Sequence, residues 1–207
     1  TPYDYAGLGI QAYWPLNGHA NDLSGNGHHG SVAGAQVDAG VFAEGYVFDG
    51  TDDSIDSSYV PQIQPGDAWA IALWFKAPLQ PSAADADMVF GLQKTEGQQV
   101  TFDIQTSGSG ADAGKLRFLY RDDARLEYAL FSDTSVCDGG WHHVAGVRDR
   151  ANAELILFVD GRPVDSAPDA TGALNLENAL SVYFGSHNYN GASAGHAPVT
   201  LDEVIIF

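Results

Sequence analysis

Trp69-Ala70-Ile71-Ala72-Leu73-Trp74-Phe75 decides the fold. The stretch is apolar throughout, so an extended chain here presents apolar side chains on both faces, as a central sandwich strand does. Outward from it the chain reads at period two. Gln99-Val-Thr-Phe-Asp-Ile104 alternates, which predicts Val100, Phe102 and Ile104 inward. Leu116, Phe118 and Tyr120 repeat the pattern, as do Leu126, Tyr128 and Leu130. Asp122-Asp123-Ala124 between them predicts a tight hairpin connection. Trp141 to Val147 and Glu154 to Val159 predict a further pair, and Asp160-Gly161 is a two-residue turn matched to strand twist. Ser181 to Gly185 and Thr200 to Phe207 close the chain. No segment sustains helical spacing over three turns. The expectation is all-β: one antiparallel two-sheet β-sandwich (a jelly roll) of about a dozen strands, with the first and last strands paired to cover their edges.

Composition agrees. Of 207 residues, 44% are hydrophobic and 17% charged, with 24 glycines. The charge is one-sided, nine Lys and Arg against 27 Asp and Glu, a net of −18. Such a surface repels nucleic acid, and no run approaches the ~20 apolar residues of a membrane-spanning helix. Nucleic-acid partners and membrane insertion are therefore not expected. The single cysteine, Cys137, precludes an internal disulfide. No linker or repeat divides residues 1–207, and Thr1-Pro2-Tyr3-Asp4 is not a signal peptide. The chain reads as one monomeric module, excised from a larger extracellular or cell-surface protein.

Several motifs, in order, resemble laminin-G-like jelly-roll domains of the concanavalin A-like lectin/glucanase superfamily. They are Ala12-Tyr-Trp-Pro-Leu-Asn-Gly18, Ala20-Asn-Asp-Leu-Ser-Gly-Asn-Gly-His28, Phe48-Asp-Gly-Thr-Asp-Asp53, and the stretch at 69–75. Trp141-His-His-Val144, Leu157-Phe-Val-Asp-Gly161 and Leu201-Asp-Glu-Val-Ile205 complete them. The resemblance, which extends distantly to the pentraxins, implies a β-sandwich, extracellular use, frequent Ca²⁺ and frequent carbohydrate binding.

Three constellations are candidates for chemistry. In the first, the turn bearing Asp22 and Asn26 follows the first strand, and Asp202 opens the last. If those strands pair, two carboxylates and loop carbonyls approach the six to eight oxygens that Ca²⁺ prefers. The alternative is a turn in which Asp22 bonds backbone N–H groups. Laminin-G-like relatives often hold a calcium here.

In the second, Asp85 and Asp87 precede a strand, and Gly185-Ser-His-Asn-Tyr-Asn-Gly191 follows another. Simple strand alternation sorts both to one end of the sandwich, with the loops at 17–30, 49–53, 106–114 and 132–140. Resemblance to the pentraxins implies that Asp85 and Asp87 join Asn188 or Asn190 around Ca²⁺, which then binds ligand. A sugar would exchange two hydroxyls onto the ion, bond the amides, and stack on His187 or Tyr189. The alternative is a pair of polar surface loops. The third constellation, Asp49-Gly-Thr-Asp52-Asp53 with Asp56 near, is either a cation site or a tight turn.

His142 and His143 are adjacent in a strand, so they face opposite ways and do not chelate one ion. The six glutamates contain no Glu-x-Asp-x-x-Glu pattern of the glucanase branch, and no hydrolase elbow occurs. The sequence therefore points to a non-enzymatic, calcium-dependent carbohydrate-binding module, as in a bacterial adhesin or a secreted polysaccharide-acting protein. A calcium-stiffened spacer and a glycoside hydrolase or lyase are the alternatives.

Overall fold

The computed structural model describes residues 9–78, 86–93, 99–105, 113–175 and 181–207, with the backbone alone at 86–88, 92–93, 101–105 and 175. The period-two segments form two layered sheets. One runs β14 (Arg162–Pro168), β13 (Glu154–Val159), β12 (Trp141–Asp149), β7 (Trp69–Lys76), β19 (Thr200–Ile206), β4 (Glu44–Val47), β3 (Gln36–Ala39). Here β1 (Ala12–Trp14) also pairs with β19.

The other sheet runs β11 (Glu127–Ser135), β10 (Lys115–Arg121), β9 (Gln99–Gln105), β8 (Ala86–Gln93), β16 (Tyr183–Phe184), β5 (Ser54–Asp56), β2 (Ser31–Ala33). The hairpin of β17 (His187–Tyr189) and β18 (Ala192–Ala194) lies beside β8. A small ladder of β6 (Gln62–Ile63) and β15 (Leu174–Asn175) stands apart. The antiparallel sandwich is thus as the alternation predicts, though cut into more pieces. Strands of two to four residues are too short to register as an alternation.

The first and last strands pair as expected, with Tyr13 opposite Ile205 and Trp14 opposite Val204. Asp160 and Gly161 carry φ of +50° and +76°, the double left-handed geometry of a type I′ hairpin turn. In β7, Trp69, Ile71, Leu73 and Phe75 are buried, whereas Ala70, Ala72, Trp74 and Lys76 are half-exposed. The stretch is the central strand its sequence predicts; of its two apolar faces, one enters the core and the other is the outer surface of its sheet.

The core is aromatic and closely layered. Phe90 stacks on Phe184 at 5.7 Å, and Trp14 meets Phe184 edge-on at 5.0 Å. Gly146 lets the sheets approach, since a Cβ there would sit 2.7 Å from the Phe118 ring. One end is closed by Arg148, whose side chain is fully buried and salt-bridged to Asp169 at 2.9 Å.

Candidate functional site

The sandwich's other end gathers four connections. Gly139 N donates to Ala77 O at 3.0 Å, and Phe48 N donates to Val199 O at 2.8 Å. Between them lies a cleft of about 380 Å³, lined by Val47, Phe48, Asp49, Lys76, Pro198 and Thr200 among others. Its floor is apolar, for Phe48, Ala77 and Val199 are buried. Lys76 Nζ lies 5.2 Å from the centroid of Trp141, which docks the ammonium on a ring face.

Asp49, in the cleft wall, also belongs to a carboxylate group. Oxygens of Asp49, Asp52 and Asp53 all lie within 4.8 Å of one another. The turn builds the group. Asp53 Oδ2 accepts from Asp49 N at 3.0 Å, and Asp49 Oδ1 accepts from Thr51 N at 2.7 Å. His196 Nδ1 lies 3.0 Å from Asp53 O, tying the 195–199 segment to the same turn. Gly34 approaches Asp53 so closely, at φ +81°, that any Cβ would overlap Asp53 Oδ1. Asp49 and Asp52 are exposed and Asp53 is buried. Among the described residues, no Lys or Arg pairs with them. Three convergent carboxylates without an ion-pair partner among the described residues offer the oxygen ligands that a hard divalent cation prefers.

The residues of the first predicted constellation each bond groups in the turns around them. Asp22 Oδ1 accepts from Tyr13 N and Ser24 N at 3.0 and 2.8 Å. Its Oδ2 accepts from Ser24 Oγ and His28 N, both at 2.9 Å. Burial works against the ionised form, but these bonds outweigh it and hold the Asp22 carboxyl below its usual range. Asn26 donates to the Ile10 and Gln11 carbonyls. Asp202 serves another turn, with Oδ2 accepting from Val41 N and Phe42 N at 2.8 and 2.9 Å. Burial raises the Asp202 carboxyl, only partly offset by those N–H groups. Asp22, Asn26 and Asp202 thus bond their own turns, the alternative the sequence left open, and Asp202 Oδ1 is a buried oxygen without a partner, of the kind a cation takes.

In the second constellation, strand direction sets the Asn188 backbone away from that of Asp87. The chain reverses after Gly185, and β17 runs parallel to β8, with Asn188 opposite Leu92 and Tyr189 opposite Gln93. Leu92 lies five positions beyond Asp87, roughly 16 Å along the strand. Asp85 lies outside the described residues, as does the Asp87 side chain. Asn188 is buried, its Nδ2 donating to Ser181 O and its Oδ1 accepting from Gly191 N. His187 is buried edge-on to Tyr189 at 5.9 Å, and burial pushes its imidazole pKa down. Tyr189 is 39% exposed, and Asn190 turns the hairpin tip at φ +53°. This hairpin points away from the cleft, because alternation assumed a neighbour that continues rather than doubles back.

The histidine pair divides as expected. His142 lies between Asp160, 2.9 Å from Nδ1, and Asp138, 3.1 Å from Nε2. Burial opposes its charge, but the two carboxylates prevail and raise its pKa. His143, on the opposite face, meets Trp74 edge-on at 5.2 Å. The sequence reading missed Lys76, Pro198 and Thr200 as cleft walls. Each is unremarkable in its own stretch, and no spacing pattern joins them.

No curated protein matches the chain in sequence. Among solved structures, the binding domain of Paraclostridial Mosquitocidal Protein 1 superposes with a TM-score of 0.71 at 14% identity, over 95% of this chain and 48% of that one. Domain 4 of AbnA, a GH43 extracellular arabinanase from Geobacillus stearothermophilus solved with arabinotriose, gives 0.70 at 17% identity, over 95% and 91%. The botulinum neurotoxin serotype D ligand-binding domain, solved with N-acetylneuraminic acid, gives 0.68 at 13%, over 99% and 48%. The chain thus spans about half the length of the toxin binding domains it matches, and these likenesses show a shared fold. A family model, Laminin_G_3, matches residues 49–207, from the carboxylate turn to the final strand. With that match over most of its length and the sandwich built as described, the chain belongs to the concanavalin A-like lectin/glucanases superfamily.

Proposed function

We propose that the protein is a non-catalytic carbohydrate-binding module, extracellular or at a cell surface, that binds glycan at the loop-end cleft with Ca²⁺ held by Asp49, Asp52 and Asp53. The single observation behind this reading is that Asp49 belongs both to the carboxylate group and to the cleft wall. A cation there would stand at the cleft's mouth. Ca²⁺ in such a place exchanges water for two vicinal hydroxyls of a sugar. The apolar floor of Phe48 and Val199 then covers the C–H face of the ring, and Asp49 accepts a further hydroxyl. The complexes of two fold relatives, one with arabinotriose and one with N-acetylneuraminic acid, support sugar as the ligand class. The 49–53 turn is favoured over Asp22 and Asp202 for this role because its three carboxylates converge, whereas the Asp22 carboxylate already accepts four hydrogen bonds.

The test is a glycan array probed with the intact chain in Ca²⁺ and again in EDTA, beside Asp52→Asn. Glycan binding lost in EDTA and in a folded Asp52→Asn supports the reading. Binding that is indifferent to both overturns the calcium role. A Ca²⁺-dependent melting temperature with no glycan bound favours a structural spacer, and release of reducing ends would make the protein an enzyme.

A further inference from the structure

A second concavity lies on the outer face of the sheet that contains β7, away from the loop-end cleft. It is a cleft of about 270 Å³ lined by Tyr13, Phe42, Trp74, His143, Glu203 and Ile205. Four strands contribute. Tyr13 on β1 is opposite Ile205 on β19, Asp202 of β19 is opposite Trp74 on β7, and Trp74 is opposite His143 on β12. The row crosses three strand spacings, roughly 15 Å. Phe42, 57% exposed, stands at its rim.

The polar group in this row is aimed by a backbone irregularity. The pairing of β19 with β7 shifts register between Asp202 and Ile205, and Glu203 within the bulge has φ +52°. A left-handed glutamate is strained, and bulges that re-aim one side chain cluster at binding sites. Glu203 Oε2 accepts from the Tyr13 hydroxyl at 2.5 Å. That bond orients the carboxylate in the cleft. Among the described residues no hydrogen bond is made to its Oε1. No Lys or Arg lines the cleft. Asp160, outside the cleft lining, is engaged at the β13–β14 turn by His143 N at 2.9 Å and by the His142 ring. Burial raises the Glu203 carboxyl and lowers the His143 imidazole, so both are groups whose ionisation the cleft already perturbs.

Aromatic rings beside one oriented carboxylate, in a protein of net charge −18, define the complementary ligand. We infer that this outer-face cleft is a second, cation-independent glycan site for a pyranose that stacks on Trp74 and places a donor on Glu203, held most tightly when that donor is an ammonium group. A saturated ring presents axial C–H bonds to an aromatic face, and a protonated amine adds a cation–π and a charge-assisted contact. Sugars bearing carboxylates meet Glu203 as a like charge, in a protein of net charge −18, and are excluded. Neutral pyranoses occupy the middle of the ranking. The inference does not depend on the loop-end cleft, which needs its cation.

The experiment is calorimetric titration of the intact chain in EDTA at about pH 6, where an amine is protonated. The probes are a glucosamine tetramer, its fully N-acetylated counterpart and a galacturonate tetramer. The expected order is the amine first, the acetylated form about tenfold weaker, and no galacturonate binding. Glu203→Gln, isosteric, is expected to bring the first two probes to equal affinity, and Trp74→Ala to abolish both. Asp52→Asn, which disables the loop-end cleft, leaves all three unchanged. With the unmutated chain, two results overturn the inference: no binding of either hexosamine in EDTA, or galacturonate binding that matches them. A folded Glu203→Gln with the wild-type preference also overturns it, and this variant decides the matter if Trp74→Ala fails to fold.

Discussion

Replacing Arg148 by methionine is expected to weaken the fold severely while sparing the loop-end cleft. The Arg148 side chain is fully buried, as is that of Asp169, whose Oδ2 accepts from Arg148 Nε at 2.9 Å. The guanidinium also donates to Gln64 O at 2.9 Å, Thr171 O at 2.7 Å and Gly172 O at 3.1 Å. It thereby staples β12 to the segments carrying β6 and β15. Methionine fills much of the volume but donates nothing. Asp169 keeps Arg150 at 2.7 Å and the Thr171 hydroxyl, so its charge is only partly stranded. Thr171 O is buried and loses its donor, at about 1–3 kcal/mol. Breaking a buried pair from one side costs about 3–5 kcal/mol in all. For a chain of this size that is a fall in melting temperature of roughly 6–20 °C. Guanidinium unfolding followed by tryptophan fluorescence measures it. Arg148 is opposite Trp69 and Trp141 is opposite Lys76, so the staple and the cleft are about 23 Å apart along β12. Glycan affinity at the cleft should therefore stay as in the parent. A stability loss below ~1 kcal/mol would refute the reasoning, because it would make the pair no better than a surface ion pair. Lost glycan binding in a folded variant would refute the independence of the two ends.

Other perturbations read other parts of the structure. Asp169's carboxyl is held low, with burial outweighed by bonds from Thr171, Arg148 and Arg150. A lowered carboxyl contributes stability above its unfolded pKa near 3.8 that is lost as pH falls through the folded value, so acid unfolding should begin at higher pH in Arg148→Met. His142 is the opposite case. Its raised pKa contributes stability below about 6.5 that fades as pH rises through the folded value. Because Asp138 and Asp160 are at least half exposed, the effect should stay under ~1 kcal/mol, and His142→Gln should flatten it in thermal melts from pH 5 to 9. Gly185→Ala should cost about 2–5 kcal/mol, since φ is +70° and the new Cβ would overlap the Phe48 ring. As Phe48 lines the cleft, any folded fraction of this variant should also bind glycan more weakly. Adding Ca²⁺ to the apo chain should raise its melting temperature, and Asp52→Asn should remove that increment. An equal increment in the variant would place the ion elsewhere.

The sequence by itself determined the architecture. Period-two alternation at 99–104 and 115–121 and the Asp160-Gly161 turn are local consequences of side-chain period and backbone sterics, and the pairing of the first and last strands follows from the need to cover sheet edges. The Asp49-Gly-Thr-Asp52-Asp53 turn was legible as a cation candidate because its carboxylates are neighbours in the chain. Constellations built from distant segments depend on contacts that no local pattern specifies. Whether Asp22 meets a cation or four donors depends on where Tyr13 N, Ser24 N and His28 N point. Whether Asn188 meets Asp87 depends on the chain reversing after Gly185, which turns β17 parallel to β8. Only the tertiary structure decided that the second apolar face of Trp69–Phe75 is an outer surface carrying Trp74, and that a bulge in β19 turns Glu203 toward it. Alternation specifies which side chains share a face. Only the layering of the two sheets specifies which face is covered, because burial is a property of what packs against a strand and not of the strand itself.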